Sequence, residues 1–326
     1  MFYDKIYLGC DRMLKIIKKG STIGMIAPSF GLFDDVHLNN YNNAKKFFIE
    51  SGCKVVEAKS IYTENFLNET SAKVRAKEFM DMYLDSNIDL LISVCGGELL
   101  CELLEYIDFD LIKKAKPKYI LGYSDNTNLT FLLTTLCNIE TIYGINATAF
   151  SKMNLKYVRD TFDLLCGNKI EFDSYNVYEN ELEEFVNEVE YIGSVDMKGI
   201  MLGGCLEILR MLCGTKYDKV EEYTKNKKII FYFDVCEYKP LEVYHALWQL
   251  RNANWFKNAI GFVFGRTANN YDYLSYEDAI NRALGDITKN IVINADLGHI
   301  HPIIPFINGR ECHVIVKDKK GNFIYE

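Results

Sequence analysis

Three residues of this 326-residue sequence could together perform nucleophilic catalysis, namely Ser124, Asp234 and His299. Serine is a weak nucleophile until a base removes its proton, and that base is usually a histidine oriented by a carboxylate. Each of the three residues comes shortly after an apolar run that predicts a buried strand. In sheets of parallel strands, ligands bind beyond the carboxyl ends of the strands. The three positions therefore predict an acyl-transfer site.

The nucleophile candidate lies between a predicted strand and a predicted helix in the segment KPKYILGYSDNTNLTFLL, residues 116–133. The apolar run ends at Gly122, and a tight strand-to-helix turn after it would expose the hydroxyl of Ser124 and direct the following N–H groups at its target. The alternative is that Ser124 or Asp125 only caps the helix, as Ser, Asp and Asn often do. The G-x-S-x-G pattern of α/β-hydrolases is absent, because Asn126 occupies the place of its second glycine.

Glycines at two places in the sequence are the predicted partners of the serine in binding a substrate. Gly96 and Gly97 follow an apolar run, and glycine allows the backbone to approach a ligand closely. We expect N–H groups at Gly97 and Asp125 to form an oxyanion hole. The alternative for the glycine pair is an ordinary turn between strand and helix. Gly204, in a second glycine pair, is a further candidate for substrate binding.

The acid and the base each have a rival nearby in the sequence. His301 lies two residues beyond His299 and is an alternative base, whereas Glu237 is the nearest alternative to Asp234. Both main candidates also have a purely structural interpretation. A histidine in a loop often makes structural contacts only, and an acid that ends a strand is an ordinary turn residue.

Composition and charge argue against several other classes of function. The net charge of −8, without a stripe of Lys and Arg, argues against a nucleic-acid surface. No apolar run is long enough for a membrane span, and the first twenty residues do not resemble a signal peptide. The ten cysteines lie singly, without a C-x-x-C pair, so we expect free thiols in a reducing cytoplasm. No phosphate loop, dinucleotide fingerprint or zinc motif occurs, so we expect no cofactor and no metal.

The first half of the sequence alternates between predicted strands and predicted helices. Its strands are apolar throughout, which predicts a parallel sheet covered on both faces by helices. The predicted strands are residues 22–27, 54–58, 90–95, 119–121 and 140–143, and the predicted helices are 41–50, 71–84 with Ser71 as N-cap, and the segments after Gly97 and Asn126.

A change in the composition of the sequence at about residue 150 marks a predicted domain boundary. The run 171–190 holds eight acidic residues and no glycine, which indicates a connector or a solvated helix face rather than sheet core. We therefore predict an N-terminal domain at 1–150 that begins with a short appendage, a linker at 151–195 and a C-terminal domain at 196–326. The C-terminal domain has predicted strands at 199–204, 228–233, 259–265 and 291–296, helices ending at 212 and at 251, and a hairpin of 313–316 and 322–325 that turns at 319–321.

Motifs with specific spacing give the sequence a resemblance to a known family. The most specific are G-Y-S-D at 122–125 and the downstream G-H at 298–299. Other matching pieces are GMIAPS at 24–29, Arg75-Ala76, 92–97 with 106–108, Gly203-Gly204, ALWQL at 246–250, Gly265-Arg266 and 294–299. With these pieces the sequence resembles the LD-carboxypeptidase family of serine peptidases, which includes the microcin C self-immunity peptidases.

The resemblance implies a fold and a set of site residues. It implies an α/β fold with an N-terminal parallel-sheet domain, a smaller C-terminal α+β domain and an active site in the cleft between them. It also implies a metal-free triad in which Ser124 is the nucleophile and His299 the base. The acid falls on Asp234, where the family usually has glutamate, so the loop must bring the shorter side chain closer. Two more departures, Cys205 for asparagine and Ile145 for proline, are expected to line or shape the substrate cleft.

The resemblance also implies a substrate. We expect a cytoplasmic serine carboxypeptidase that hydrolyses the L-D amide bond of murein tetrapeptides and releases the terminal D-alanine during cell-wall recycling. One alternative is a microcin C-type immunity peptidase that cleaves aminoacyl- or peptidyl-nucleotide analogues, and another is a non-catalytic binding protein of the same fold. The expected partner is a small peptide rather than nucleic acid or membrane, and the family tends to form homodimers.

Overall fold

In a computed structural model of the chain, residues 14–65, 70–175, 177–179, 185–186 and 190–326 are described. The elements of the first part are β1 (Thr22–Ile26), α1 (Asp35–Glu50), β2 (Lys54–Glu57), α2 (Ala72–Leu84), β3 (Leu90–Ser93), α3 (Phe109–Lys114), β4 (Tyr119–Gly122), α4 (Thr127–Cys137), β5 (Thr141–Tyr143) and α5 (Lys156–Cys166). Short 3₁₀ turns lie at Lys59–Ile61, Leu100–Tyr106, Ser124–Asn126 and Ala147–Lys152.

The second part of the chain continues the alternation of strands and helices. Its elements are β6 (Glu171–Asp173), β7 (Tyr178–Glu179), β8 (Phe185–Val186), β9 (Val195–Cys205), α6 (Leu206–Leu212), α7 (Val220–Thr224), β10 (Ile229–Asp234), α8 (Pro240–Asn252), β11 (Ala259–Gly265), α9 (Tyr276–Leu284), β12 (Ile291–Ala295), β13 (Phe306–Asn308), β14 (Glu311–Lys317) and β15 (Lys320–Tyr325). A 3₁₀ turn at Trp255–Asn258 precedes β11.

The first sheet has the strand order β13-β5-β4-β3-β1-β2. Strands β5, β4, β3, β1 and β2 run parallel, and the late strand β13 pairs antiparallel with β5. All four residues of β3 are buried, as expected for a strand with helices on both faces. The predicted parallel sheet of the first half is therefore confirmed.

The second sheet has the strand order β12-β11-β10-β9-β14-β15-β6. Its first four strands are parallel, whereas β14, β15 and β6 are antiparallel neighbours, so the sheet is mixed. Every residue of β10, IIFYFD, is buried, which explains why the run is apolar. Its last residue, Asp234, is the exception, because it is charged and yet buried. Together the two sheets confirm the predicted α/β class with two units.

Helix α4, which follows the candidate nucleophile, lies between the two sheets. It packs against β5 of the first sheet and β9 of the second. Nine of its eleven residues are buried, and its threonine hydroxyls bind carbonyls of the preceding turn within the helix. Asn308 of β13 adds a direct link, because its side-chain oxygen accepts hydrogen bonds from the N–H of Gly203 and the hydroxyl of Tyr232, each at 2.8 Å.

Several sequence-based predictions of local structure were wrong. Helix α1 begins at Asp35 rather than at residue 41, because Asp34 caps it by accepting the N–H of His37. At the start of α2, the side chain of Ser71 makes no capping hydrogen bond. The final hairpin turns at Asp318 and Lys319, which both have positive φ, so β15 already begins at residue 320. A two-residue turn of this kind fits the twist of the paired strands better than the predicted one.

The acidic run 171–190 is not a solvated helix in the residues that the structure describes. β6 forms the edge of the second sheet beside β15, and its Phe172 is buried. Charged residues on an edge strand are common, because they discourage pairing with another chain. Residues 176, 180–184 and 187–189 of this run lie outside the described residues, as do residues 1–13 of the predicted N-terminal appendage. The described end of the appendage packs into the core through Leu14 and Ile17.

Candidate active site

The strand-to-helix turn after β4 presents the hydroxyl of Ser124. The residue has φ of +63°, a left-handed conformation that is uncommon for a residue other than glycine and is often found at functional sites. Neither Ser124 nor Asp125 caps α4 with its side chain. The hydroxyl oxygen Oγ instead lies 3.0 Å from Nε2 of His299.

His299 and Asp234 come from two different strand ends of the second sheet. Nδ1 of His299 lies 2.8 Å from Oδ2 of Asp234, which is the last residue of β10 and fully buried. The structure therefore brings the three predicted residues together in a line of contacts, with the imidazole between the hydroxyl and the carboxylate and Nδ1 of His299 within ion-pair distance of Oδ2. The aspartate reaches the imidazole although it is shorter than glutamate.

The loop that carries His299 passes directly over the carboxylate of Asp234. Gly298 has φ of +98°, and a Cβ atom at this position would lie 2.0 Å from Oδ1 of Asp234. Only glycine allows so close a passage of the backbone. In the described part of the chain, Oδ1 has no hydrogen-bond partner.

A buried ion pair holds the base of the same loop. The Arg266 guanidinium donates to Oδ1 of Asp296 at 2.6 Å and to the carbonyl of Pro302 at 2.9 Å. Oδ2 of Asp296 accepts the N–H of Tyr175 and the hydroxyl of Tyr191. Through these contacts the pair can fix the two ends of the segment that contains the candidate base, although Nε of Arg266 has no hydrogen-bond partner among the described residues.

The glycine pair after β3 faces the candidate nucleophile, Ser124. A Cβ atom at Gly96 would lie 3.2 Å from Oγ of Ser124, and Gly97 has φ of +142°. Within the described residues, the N–H groups of Gly97 and Asp125 have no protein acceptor. Two such groups beside a serine hydroxyl could hold a developing oxyanion.

The Asp125 side chain ties the nucleophile turn to the glycine loop. Its carboxylate accepts the N–H of Leu100 at 2.9 Å, the hydroxyl of Ser29 and the amide of Asn128. Burial raises the pKa of Asp125, and the hydrogen bonds from its partners oppose that rise. Ser29 also accepts the N–H of Leu99 at 3.2 Å, so the buried carboxylate fixes the spacing between the two loops.

Tyr143, at the end of β5, contacts both the nucleophile turn and the acid. Its hydroxyl accepts the N–H of Ser124 at 3.1 Å and donates to Oδ2 of Asp234 at 2.5 Å. Burial, followed by the nearby charge of Asp234, raises the pKa of Tyr143 well above its ordinary value, so the phenol keeps its proton. Tyr143 was not among the predicted site residues, although its place at the end of a predicted strand could have identified it as a candidate.

The remaining glycine candidate and the two family departures lie beneath the site. Gly204 is buried, and a Cβ atom there would lie 2.5 Å from the Thr127 side chain, so this glycine allows β9 to pack against α4. Cys205 and Ile145 are also buried, and the Cys205 N–H binds Thr127 at 2.9 Å. Of the two expected roles, burial argues against lining the cleft, whereas shaping it through packing stays a prediction.

The rival acid and base lie apart from the line of three residues. Nδ1 of His301 lies 2.8 Å from Oε2 of Glu179, and its ring stacks on Tyr157. Glu237 is exposed on the loop after β10, where its N–H binds Glu207. Glu207 accepts three successive N–H groups of this loop, at residues 236–238, and was not singled out from the sequence.

The electrostatic environment favours a charged imidazole at rest. Burial by itself would lower the pKa of His299, but the Asp234 carboxylate and the neighbouring Cys236 outweigh it and raise that pKa well above its ordinary value. The Tyr123 ring covers the imidazole, with centroids 5.2 Å apart. A neutral imidazole at this position would become a cation on accepting a proton, and the adjacent Asp234 carboxylate would stabilise that cation.

Two further properties of the described residues bear on function. They contain no group of three or more His, Cys, Asp or Glu side chains that could hold a metal ion. None of their helices combines the length and apolar character that crossing a membrane requires.

The chain is similar in sequence to several known proteins. The probable murein peptide carboxypeptidase of Bacillus subtilis is 25% identical over 250 residues, which cover 76% of this chain and 73% of that protein. The microcin C7 self-immunity protein MccF of Escherichia coli is 26% identical over 217 residues, covering 61% and 62% of the two chains.

Solved structures show the same fold. An MccF-like protein from Bacillus anthracis superimposes with a TM-score of 0.81 at 24% identity, covering 94% of this chain and 97% of its own. MccF in complex with glutamyl sulfamoyl guanosine gives a TM-score of 0.77 at 19% identity, covering 95% and 97%.

Family models match both halves of the sequence. The model of the LD-carboxypeptidase N-terminal domain matches residues 23–144, which include the serine turn. The model of the LD-carboxypeptidase C-terminal domain matches residues 198–314, which include the acid and the histidine. The chain therefore belongs to the LD-carboxypeptidase family.

Proposed function

We propose that this chain is a serine carboxypeptidase in which Ser124 is the nucleophile, His299 the general base and Asp234 the acid that orients it. The observation that carries the proposal is the line of contacts, 3.0 Å from Ser124 Oγ to His299 Nε2 and 2.8 Å from His299 Nδ1 to Asp234 Oδ2. A hydroxyl within hydrogen-bond reach of a base that is itself oriented by a carboxylate is the arrangement that acyl transfer requires.

The proposed reaction has two half-reactions. Ser124 Oγ attacks the carbonyl carbon of the scissile amide while its proton passes to Nε2 of His299, and the N–H groups of Gly97 and Asp125 hold the resulting oxyanion. His299 then gives the proton to the departing amine, the C–N bond breaks and an ester remains on Ser124. Water attacks this ester, His299 accepts and returns a proton, and the serine and a free carboxylate are regenerated.

The proposed substrate is a murein tetrapeptide, whose L-D amide bond is cleaved to release terminal D-alanine. Similarity to a protein named as a probable murein peptide carboxypeptidase supports this choice. All nine described cysteines are unpaired, which supports the cytoplasm as the compartment in which recycled peptides would be processed.

A second candidate substrate is an aminoacyl- or peptidyl-nucleotide analogue. Similarity to MccF, including its complex with glutamyl sulfamoyl guanosine, favours this candidate. The chemistry at the serine would be the same, and the two candidates differ in the group that the cleft must accommodate.

Turnover of both substrates by the purified chain tests the proposal. We expect kcat/KM for a murein tetrapeptide to exceed that for glutamyl sulfamoyl adenosine by at least about tenfold, because enzymes discriminate through contacts made in the transition state. Release of D-alanine and release of glutamate would be followed by mass spectrometry. A reversed preference would replace the murein substrate by the nucleotide analogue, and turnover of neither would contradict both.

The pH dependence of kcat/KM is expected to show an acidic limb above about pH 6.5, the ordinary pKa of histidine. His299 acts as a base only when neutral, and its raised pKa means that it loses its proton at higher pH than usual. Activity should therefore rise as the pH increases through that raised pKa. Initial rates at low substrate concentration between pH 5 and pH 10 would measure the limb.

The matched variant for this measurement is Asp234→Asn. It removes the negative charge that raises the pKa of His299, so the acidic limb should move to lower pH while the maximum rate falls. The prediction would be contradicted if the acidic limb of the wild-type kcat/KM profile had its midpoint at or below pH 6.5. It would also be contradicted if that midpoint did not move in Asp234→Asn.

A further inference from the structure

We infer that Tyr143 is a positioning residue for the reaction: its hydroxyl fixes the backbone of the nucleophile turn and the Asp234 carboxylate relative to each other. The inference rests on the proposed function, because it assigns a role to Tyr143 only through Ser124 and Asp234. The phenol does not touch the bond that is cleaved.

The fold places Tyr143 where it can reach both partners. It is the last residue of β5 and lies in register beside Gly122, the last residue of β4, so its side chain starts at the same sheet edge as the serine turn. The side chain is fully buried, with the rings of Tyr123 and Tyr232 at centroid distances of 6.3 and 5.8 Å. These neighbours leave the ring little freedom, so the position of the hydroxyl is well defined.

The directions of the two hydrogen bonds follow from the chemistry of the groups. The backbone N–H of Ser124 can only donate, at 3.1 Å, so the phenol oxygen must be its acceptor. The ionised carboxylate of Asp234 can only accept, at 2.5 Å, so the single phenol proton must point at Oδ2. No alternative assignment satisfies both contacts.

The first bond supports a strained backbone. Ser124 has φ of +63°, a left-handed conformation that is unfavourable for a residue with a side chain. An acceptor fixed by packing in front of its N–H favours this conformation over the relaxed ones. Without the phenol oxygen, the N–H would lose its partner and the hydroxyl of Ser124 would lose its alignment with His299.

The second bond adjusts the charge that acts on the histidine. Tyr143 and His299 approach the same oxygen of Asp234, Oδ2, from two sides. A phenol proton on this oxygen withdraws part of the negative charge that would otherwise stabilise the imidazolium. Tyr143 therefore moderates the basicity of His299 while it holds the acid in place.

These contacts also join the two sheets. Tyr143 and Ser124 belong to the first sheet and its turn, whereas Asp234 and His299 belong to the second. The chain of contacts from the Ser124 N–H through Tyr143, Asp234 and His299 returns to the Ser124 hydroxyl, so it forms a closed ring. Among the described residues, the other titratable groups close enough to feel the charge of Asp234 are Cys205, Tyr123, Tyr232 and Tyr276, and Cys236 acts on His299.

The test measures how fast Ser124 reacts with a fluorophosphonate as the pH is varied. In this reaction Oγ forms a bond to phosphorus, fluoride leaves and the serine proton passes to His299, so no natural substrate is needed. The variant is Tyr143→Phe, and the matched control is Tyr232→Phe, which removes a neighbouring buried hydroxyl whose partner is Asn308. A second variant, Tyr143→3-fluorotyrosine introduced at this single codon, keeps the hydroxyl and makes it a stronger donor.

We expect Tyr143→Phe to lower the labelling rate by about ten- to hundredfold, as for loss of a hydrogen bond to a charged group, and to move the acidic limb to higher pH. With a peptide substrate the loss should fall on kcat and leave KM nearly unchanged. The fluorinated variant should move the acidic limb to lower pH, and Tyr232→Phe should leave the limb unchanged. This opposite shift would not arise from a merely structural role.

The outcomes separate the two proposals. If wild-type Ser124 reacts but its rate and limb are unchanged in both Tyr143 variants, the positioning role is wrong and the proposed function stands. If wild-type Ser124 does not react, the proposed function fails and the inference fails with it. Should Tyr143→Phe not fold, the limb of the fluorinated variant alone decides the question.

Discussion

Replacing Ser124 with alanine is expected to reduce kcat/KM by at least about 10⁴-fold while the chain still folds. The nucleophilic oxygen is lost, whereas the backbone contacts of the turn stay. The Ser124 N–H still binds Tyr143, and the Ser124 carbonyl still accepts the Thr127 hydroxyl at 2.7 Å. The melting temperature should therefore remain within about 2 °C of the wild-type value.

The measurement combines peptide hydrolysis with fluorophosphonate labelling followed by mass spectrometry of the tryptic peptides. Ser151→Ala is the matched control, because within the described part of the chain the hydroxyl of Ser151 binds only the carbonyl of Thr148 on a short turn. This control should keep full activity and full labelling at Ser124. If Ser124→Ala retained a tenth of the activity, the nucleophile would have to lie elsewhere. If the wild-type chain neither turned over nor reacted, the alternative of a binding protein with this fold would be favoured.

Replacing Gly298 with alanine is expected to lower kcat/KM by at least about 10²-fold. The new Cβ atom would lie 2.0 Å from Oδ1 and 2.5 Å from Cγ of Asp234, so the loop or the carboxylate must move. Either movement separates Asp234 from His299, which is the next residue of the loop. Displacement of a catalytic group by about 1 Å commonly costs a factor of this size.

Gly20→Ala is the matched control for the strain that alanine introduces at positive φ. Gly20 has φ of +93°, close to the +98° of Gly298, but a Cβ atom at Gly20 would meet nothing within 4 Å. Both variants should lose the stability that alanine costs at positive φ, Gly298→Ala should lose more because of the close contact, and only Gly298→Ala should lose activity. Equal kcat/KM for the two would show that the close passage over Asp234 is unimportant for catalysis.

The positions of Ser124, Asp234 and His299 could be predicted because each comes shortly after an apolar run. Such runs identify buried strands with little ambiguity, and the ends of parallel strands are where ligands bind. The strand-to-helix alternation of the first half led to the parallel sheet in the same way. The structure agrees with that sheet and places the three side chains in contact.

The groups that support these residues could not be predicted in the same way. Tyr143, Glu207 and the Arg266–Asp296 pair act through contacts between segments far apart in the chain, and periodicity carries no information about such pairs. The acidic run 171–190 was misinterpreted for a related reason. Its charges correctly indicated that the segment is exposed to solvent. An edge strand, however, is as solvated on one side as a surface helix, so exposure does not distinguish the two.

The position of β13 near residue 306 affects the order in which the protein folds during its synthesis. β5 would be an open edge of the first sheet until residues 306–308 pair with it, and Asn308 then joins that sheet to β9 and β10. The acid and the histidine are also synthesised long after the serine. Under the proposed function, the Ser124 hydroxyl would therefore have no base during translation until residue 299 has emerged, so shorter nascent chains would lack hydrolytic activity.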